Sequence, residues 1–544
     1  MVLFDGNAPD AAPGDNIYLC AGACDGTGSA TYNVSPTAPS YWFCSTISGT
    51  SAQPITIQNY PGETVTISGD TNGNGTYDST IDVGNLITNA CAKYVTNIVW
   101  KGNNVGSNKG LILEKSGGRM VTLDNSDVPS GADYYVGGPD GWVFDGLMLR
   151  YVGGVMWGGG SFYAGGCYSG SQNHVFQIHG LTGPFTVKHC IIHSFCGFAH
   201  RDGNNNGGGA FLFDGNEYYN GGAVSNDYLN VSPSGTHWAT FVWQNNYIHD
   251  CQVGPDIEDR MRDIIIQDNV VACLGQYQLT ADGRCEAGIL IGAVDSDPGT
   301  TFNVTIRRNK IYQAATSASF SATTCPSSTC GWFLAGIKWD VTCDPTRADG
   351  CTNSNGLIEN NFVWNHVTAT GGDCEKGSIC VSTNNDDVTI RNNTVYKGVR
   401  GITLLGANRN LTVVNNVVSS MTEAGIWTGS GTLAGKINYN NVYGTSGAIP
   451  SLSGTTYLCP VISAFGIGNK CVASRFRSVT GTPDLWDLHL DPTDVANRGL
   501  GTLGPPQDID LQPRPPVGAD LGADQIVSTD TSPPSTPSNL HFVW

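Results

Sequence analysis

Charge is what this chain has least of. Only 13% of its 544 residues are Asp, Glu, Lys or Arg, and 27 basic residues face 46 acidic ones, a formal net charge of −19. So acidic a surface excludes nucleic acid as a partner, because the phosphate backbone demands a basic face. It also disfavours an anionic membrane. No apolar run reaches the length of a membrane span, so no membrane insertion is expected. The opening, Met1 to Asp15, has neither a basic segment nor an apolar one; a secretion leader is expected to have been removed. Long amphipathic helical patterns are absent too, while Gly is abundant at 71 residues. Scarce charge with many turn residues is an all-β composition.

Several cysteine motifs are missing as well. The chain has 18 Cys, but no pair has the CxxC spacing of a zinc ribbon or redox site, and no CxxCH haem motif occurs. Many Cys are close neighbours instead: Cys20/Cys24, Cys190/Cys196, Cys325/Cys330, Cys343/Cys351, Cys374/Cys380 and Cys459/Cys471. Insertion loops stapled by disulfides in an oxidising compartment account for this most simply, although spacing leaves the connectivity open. Secretion or display at the cell surface follows.

What is present is a repeat. Asp387 to Gly425 says one phrase twice: a short alternating strand, an Asn-Asn corner, a second strand, then a Gly-Ile opening. Anchored on the second corner residue, the phrase recurs at Asn246, Asn269, Asn309, Asn361, Asn393, Asn416 and Asn441, with a degenerate copy at Cys190. The separations from Asn246 are 23, 40, 52, 32, 23 and 25 residues, short ones being bare coils and long ones coils with insertions. Strands of four to six residues bury nothing alone. Stacked at roughly 4.8 Å they form parallel sheets around a continuous core. Asn suits the corner because it tolerates the left-handed backbone region and because its amides hydrogen-bond in ladders. A parallel β-helix is therefore expected, with coils over about 51–445 and a β-helix domain over 1–527.

Residues 13–20, and 53–69 around their Pro-Gly turn, resemble the N-terminal coil of the secreted right-handed β-helix proteins, the pectate-lyase-like superfamily. That likeness spans about residues 13–445 and implies an N-terminal cap over about 1–50. It is specific for fold and weak for activity, since such coils serve polysaccharide lyases, glycoside hydrolases, adhesins and surface proteins alike. The Asn-Thr-Asp, Gly-His-Gly and Arg-Ile-Lys set of polygalacturonase-like hydrolases is missing. So are the pectate-lyase signatures and the glutamate-rich calcium motif of alginate lyases. His189, His193, His200, His249 and His366 are scattered without metal spacing and are read as turn or stacking residues.

Asp70, Asn72, Asn74 and Asp78, with Gly75 at the sixth position, resemble the start of an EF-hand or dockerin loop and imply calcium. The twelfth position is Ile81, with Asp82 one residue late, so a plain surface turn is the competing reading. Gly- and aromatic-rich stretches at 151–235 are either functional loops or a lateral flap. Charge collects at 249–300, including Arg260, Arg262 and Glu286, which would hold a cation or an acidic sugar, or would form a solvated insertion.

The Gly-opened strands are the sharpest functional signal. With Ile inward, alternation puts Leu290, Lys338, Thr403 and Trp427 in one outward column, with Asp340 two residues past Lys338. The Gly377-Ser-Ile-Cys strand joins only with a shift. Trp427 would stack on a sugar ring beside Thr403 and Arg262. Lys338, with Asp340, Glu286 and Arg260, would act on a uronate, where lysis needs a base at C5 and a cation for the carboxylate. The competing reading is an ordinary surface ion pair.

After residue 445 the repeat fades, and 446–527 are expected to close the last coil. Residues 528–538 form a Ser/Thr/Pro linker. Pro537 to Trp544 resemble the first strand of a fibronectin type III module, which implies further domains beyond residue 544. Two functions follow: a secreted protein that binds or degrades an acidic polysaccharide, or a non-catalytic adhesive or filament-forming surface protein.

Overall fold

The computed structural model describes residues 11–33, 43–44, 47–71, 86–88, 95–123, 140–152, 174–178, 183–202, 209–227, 240–257, 262–274, 285, 287–293, 302–314, 335–341, 355–367, 374–382, 387–405, 410–428, 437–444, 449–450, 456–457, 466–499, 501–502 and 504–526. Most of the Gly- and aromatic-rich loops, Glu258 to Arg260 of the charge run, and the linker with its module start lie outside these. The chain forms two compact units, one up to Tyr247 and one from Ile248 on.

In each unit the chain winds as a parallel β-helix with three strands per coil. The first sheet of the first unit pairs Asn16–Leu19, Ile55–Asn59, Ile98–Lys101, Trp142–Asp145, Pro184–Lys188, Ala210–Asp214 and Thr240–Gln244, all parallel. Its interior is aromatic. Phe185, Phe211 and Phe241 share one register column, and Phe213 pairs with Trp243 in another. The Phe211 and Phe241 rings lie 4.5 Å apart, those of Phe213 and Trp243 4.0 Å. The second unit repeats this sheet in aliphatic form: Ile266, Ile306, Ile358, Ile390, Val413 and Ile437 stack in one buried column.

The corner splits between two residues the jobs assigned above to one. Its first residue takes the left-handed backbone: Asn245, Asp268, Arg308, Asn360, Asn392, Asn415 and Tyr439 all have φ between 53° and 59° or within a degree of that range. Its second residue turns inward and builds the ladder. Asn309, Asn361, Asn393 and Asn416 each direct the backbone N–H and side-chain Nδ2 to the Oδ1 of the Asn one coil on, at 2.9–3.1 Å. The last rungs run through Asn440 and Asn469, not Asn441, whose register partner is Val417. Asn216, absent from the repeat anchors above, bonds to Asn246 and takes the Cys190 N–H, so the degenerate copy at Cys190 is a true rung. Cys190 itself is a free thiol, pushed up to about 12 by burial.

At Gly288, Gly336 and Gly401 the Gly of the Gly-Ile opening answers a close approach between coils. A Cβ on Gly336 would lie 2.6 Å from the Ser378 carbonyl oxygen, and one on Gly401 2.5 Å from that of Gly425 and against Val418 Cγ1. Gly401→Ala is therefore expected to destabilise the second unit by about 1–3 kcal/mol through overpacking. Denaturant unfolding that leaves its midpoint unchanged would remove this account of the motif.

Three disulfides are described: Cys20–Cys24, Cys273–Cys285 and Cys374–Cys380. The second joins residues that short spacing did not suggest.

Beyond residue 445 the chain adds one rung, where Lys470 bridges Asn441. From Phe476 on it runs back along the flank of the second unit. The outward column of the second sheet, Ala272, Tyr312, Trp364 and Tyr396, is apolar and needs a cover. Leu488, Ile509 and Ala523 supply it. Trp364 Nε1 donates to Pro483 O at 2.7 Å, Asn360 Nδ2 to Gln507 O at 2.7 Å, and Gly522 N to Asn415 O at 2.8 Å.

Candidate functional site

Inward Ile289, Ile337, Ile379, Ile402 and Ile426 are fully buried, and the residues after them form the expected column. Asp256, Leu290, Lys338, Cys380, Thr403 and Trp427 pair in that order across the parallel strands Asp256–Ile257, Ala287–Ala293, Ala335–Val341, Gly377–Val381, Thr394–Leu404 and Val417–Thr428. The Gly377 strand enters one residue out of step, so Ser378 takes the Gly position. Lys338 and Trp427 thus share one face, three coil spacings or roughly 14 Å apart.

Around Lys338 the charges are carboxylates. Its Nζ lies 3.1 Å from Asp340 Oδ2 and 3.8 Å from Glu375 Oε1, and all three side chains are partly exposed. At the other end the Arg400 guanidinium lies 3.8 Å over the Trp427 ring and 2.6 Å from Glu423. Arg400 is 2% exposed, so one indole face is taken by the protein and a sugar would have to use the other. Between these ends the column is covered. Cys380 carries the disulfide to Cys374, and Thr403, though aligned as expected, is fully buried against Gly377. As it stands, Thr403 offers nothing to a ligand arriving from solvent.

Most of the remaining expected site residues fall outside the described residues. Arg262 begins Arg262–Gln267 of the first sheet, opposite Phe302, and its side chain lies outside the described residues. Arg260 and Glu286 lie outside them entirely, as do Asn72, Asn74 and Asp78 of the calcium-like loop. Asp70 is 1% exposed and turns its carboxylate to Lys115 Nζ at 3.0 Å. Next to that pair, Glu114 holds Arg150 at 2.6 Å. The described end of the loop is therefore bound up in protein ion pairs.

A second site was missed by sequence reasoning. On the flank of the second unit, Tyr396, Ser419 and Tyr443 stand in register. With Arg475, Phe476 and Asp491 of the returning segment they line a groove of about 470 Å³. Tyr443 is 41% exposed, and the Tyr396 ring meets Phe476 edge-on at 5.2 Å. Asp491 accepts the Thr493 N–H at 2.7 Å, and bonds from Thr493 hold its carboxyl below the usual range. Arg475 Nη1 reaches Thr493 Oγ1 at 3.3 Å. The signal was a Tyr soon after the corner in both Asn393-Thr-Val-Tyr and Asn440-Asn-Val-Tyr. The opposite wall comes from residues far along the chain that no repeat announces.

No family profile and no curated protein matches this sequence. Among solved structures, the mannuronan C-5 epimerase AlgE4 A-module of Azotobacter vinelandii is similar at 11% identity, covering 85% of this chain and 89% of that one, with a TM-score of 0.36. A mannuronic-acid-specific polysaccharide family 6 lyase from human gut microbiota aligns at 12% identity over 85% and 86%, TM-score 0.39. PfbA, a surface adhesin of Streptococcus pneumoniae, aligns at 10% identity over 74% and 84%, TM-score 0.33.

Proposed function

We propose that this protein is an extracellular polysaccharide binder and that the groove between Tyr396, Tyr443 and the returning segment is its sugar site. The groove's lining carries this reading. Pyranose rings present an apolar face that stacks on an exposed aromatic ring, and a rim of hydroxyls that wants paired donors and acceptors. Tyr443 and Tyr396 supply the first, Arg475, Asp491 and Ser419 the second. Arg475 is the cation of the lining and the place for a uronate carboxylate, which is why an acidic glycan is the class proposed. The disulfides support an oxidising compartment, which fits a location outside the cell or in its envelope.

Lysis is a second reading, favoured by the shared column of Lys338 and Trp427. It requires Lys338 to surrender a proton while facing Asp340 and Glu375, with calcium or a protein cation on the uronate. One experiment separates the readings. The protein is titrated by calorimetry against alginate, pectate, ulvan and glycosaminoglycans, while unsaturated product is followed by absorbance with and without calcium. Tyr443→Ala is expected to weaken binding about tenfold or more, in line with the loss of a stacking aromatic, and Lys338→Ala to leave it unchanged. Product that disappears in Lys338→Ala would establish lysis. Silence on every glycan would leave an adhesive or filament-forming structural role.

A further inference from the structure

We propose that His489, Asp510 and Asp524 bind one divalent cation of the zinc class and so clasp the returning segment together. The three come from separate stretches: the strand Asp487–Leu490, the turn that follows Asp508, and the run after Gly522. One ligand atom from each lies within 4.8 Å of the others. His489 is 2% exposed and Asp524 fully buried, with the Phe362 ring edge-on to the imidazole at 4.9 Å.

One buried oxygen says that something belongs among these atoms. Asp524 anchors one oxygen on the Leu490 N–H at 2.7 Å, while its other oxygen, Oδ1, is buried without a hydrogen-bond partner. Beside it His489 Nε2 faces Asp510 Oδ2 at 2.7 Å as an ion pair, so an imidazole and a second carboxylate converge next to that oxygen. Buried polar atoms are almost always satisfied, and a buried carboxylate oxygen left unpaired beside an imidazole and a second carboxylate is how a ligand set looks without its ion.

The donor set chooses the ion. One imidazole nitrogen with two carboxylate oxygens suits a borderline first-row dication, whereas calcium takes six to eight oxygens. The tautomer is already fixed: Asp487 holds Nδ1 from the far side, the carboxylate–histidine arrangement that turns Nε2 toward a metal. A dication would also balance the charge of Asp510 and Asp524. The proposal does not depend on glycan binding, although Asp491 and Thr493 of the groove follow the ligand strand directly.

The full chain, stripped with EDTA and dialysed, is titrated with Zn²⁺ alone, and Co²⁺ replaces it in a second sample for visible absorption. One equivalent of Zn²⁺ is expected to bind and to raise the thermal midpoint. Asp524→Asn should abolish that equivalent, and Asp487→Asn should weaken it about 10–100-fold. Tetrahedral-type Co²⁺ bands are expected in the unmutated protein, which keeps the test meaningful even if a variant folds poorly. Absence of a stoichiometric Zn²⁺ site, full affinity in a folded Asp524→Asn protein, or Ca²⁺ taking the site in preference would each overturn the proposal.

Discussion

Asn416→Ala is expected to destabilise the second unit by about 4–6 kcal/mol, while Asn415→Gly, one residue away, changes its stability by about 1 kcal/mol. Both residues are fully buried, so burial alone would predict similar losses. Their backbones and partners differ. The Asn416 Nδ2 donates to the carbonyls of Ile390 and Val414 and to Asn440 Oδ1, at 3.0–3.1 Å. Its Oδ1 accepts both the backbone N–H and the Nδ2 of Asn393 at 3.0 Å. Truncation leaves donors and acceptors in two neighbouring coils unpaired inside the protein, each costing about 1–3 kcal/mol. Asn415 has φ 59°, and its side chain makes a long 3.4 Å bond to Asn392. Glycine meets the backbone demand without strain. Guanidinium unfolding followed at the second unit's transition measures both variants. Equal losses would mean that the ladder is incidental to stability.

That pair also shows how far the sequence could be read. The repeat was legible because every coil needs the same corner, and the Gly-Ile opening because every coil approaches its neighbour there. Two register errors entered where local signals tie. In Asn440-Asn441 either residue fits the ladder by type, and only the pairing of Asn441 with Val417 decides it. At Asn216 the corner reads Gly215-Asn, and glycine replaced the first Asn because φ of 65° is what the position requires. The outward column was legible by alternation, but cover is a long-range property. Nothing near Thr403 announces that Gly377, between the bridged Cys374 and Cys380, packs against it, or that Arg400 occupies a face of Trp427. The groove and the His489 cluster depend on where residues 471–526 dock, and that is set by an apolar stripe some hundred residues earlier.

Acid is expected to melt the first unit ahead of the second. Burial pushes His193 down to about 3, with Arg150 adding to the shift, and drives His200 well below its ordinary value. Both belong to the first unit. His193 stacks on Tyr219 at 4.6 Å, and His200 lies on Phe176 at 5.0 Å inside the aromatic core, its Nε2 3.0 Å from the Tyr218 hydroxyl. The second unit has His366, brought to about 3 by burial. In each case the unfolded chain takes up the proton first, near pH 6.5, while the folded site refuses it. The stability these neutral rings confer is therefore complete above pH 6.5 and is lost as pH falls from there toward 3. Each such histidine removes about 1.4 kcal/mol per pH unit within that window. With two such histidines in the first unit and one in the second, the first loses stability faster as pH falls through that window, against domain stabilities of roughly 5–15 kcal/mol. Calorimetry from pH 7.5 to 4.5 should show two transitions separating, the first unit's midpoint falling faster. His193→Phe keeps a flat ring for Tyr219 to stack on and cannot titrate, so it should reduce the first unit's acid slope by roughly half. Parallel midpoints, or an unchanged slope in that variant, would show that these histidines take up a proton within the fold.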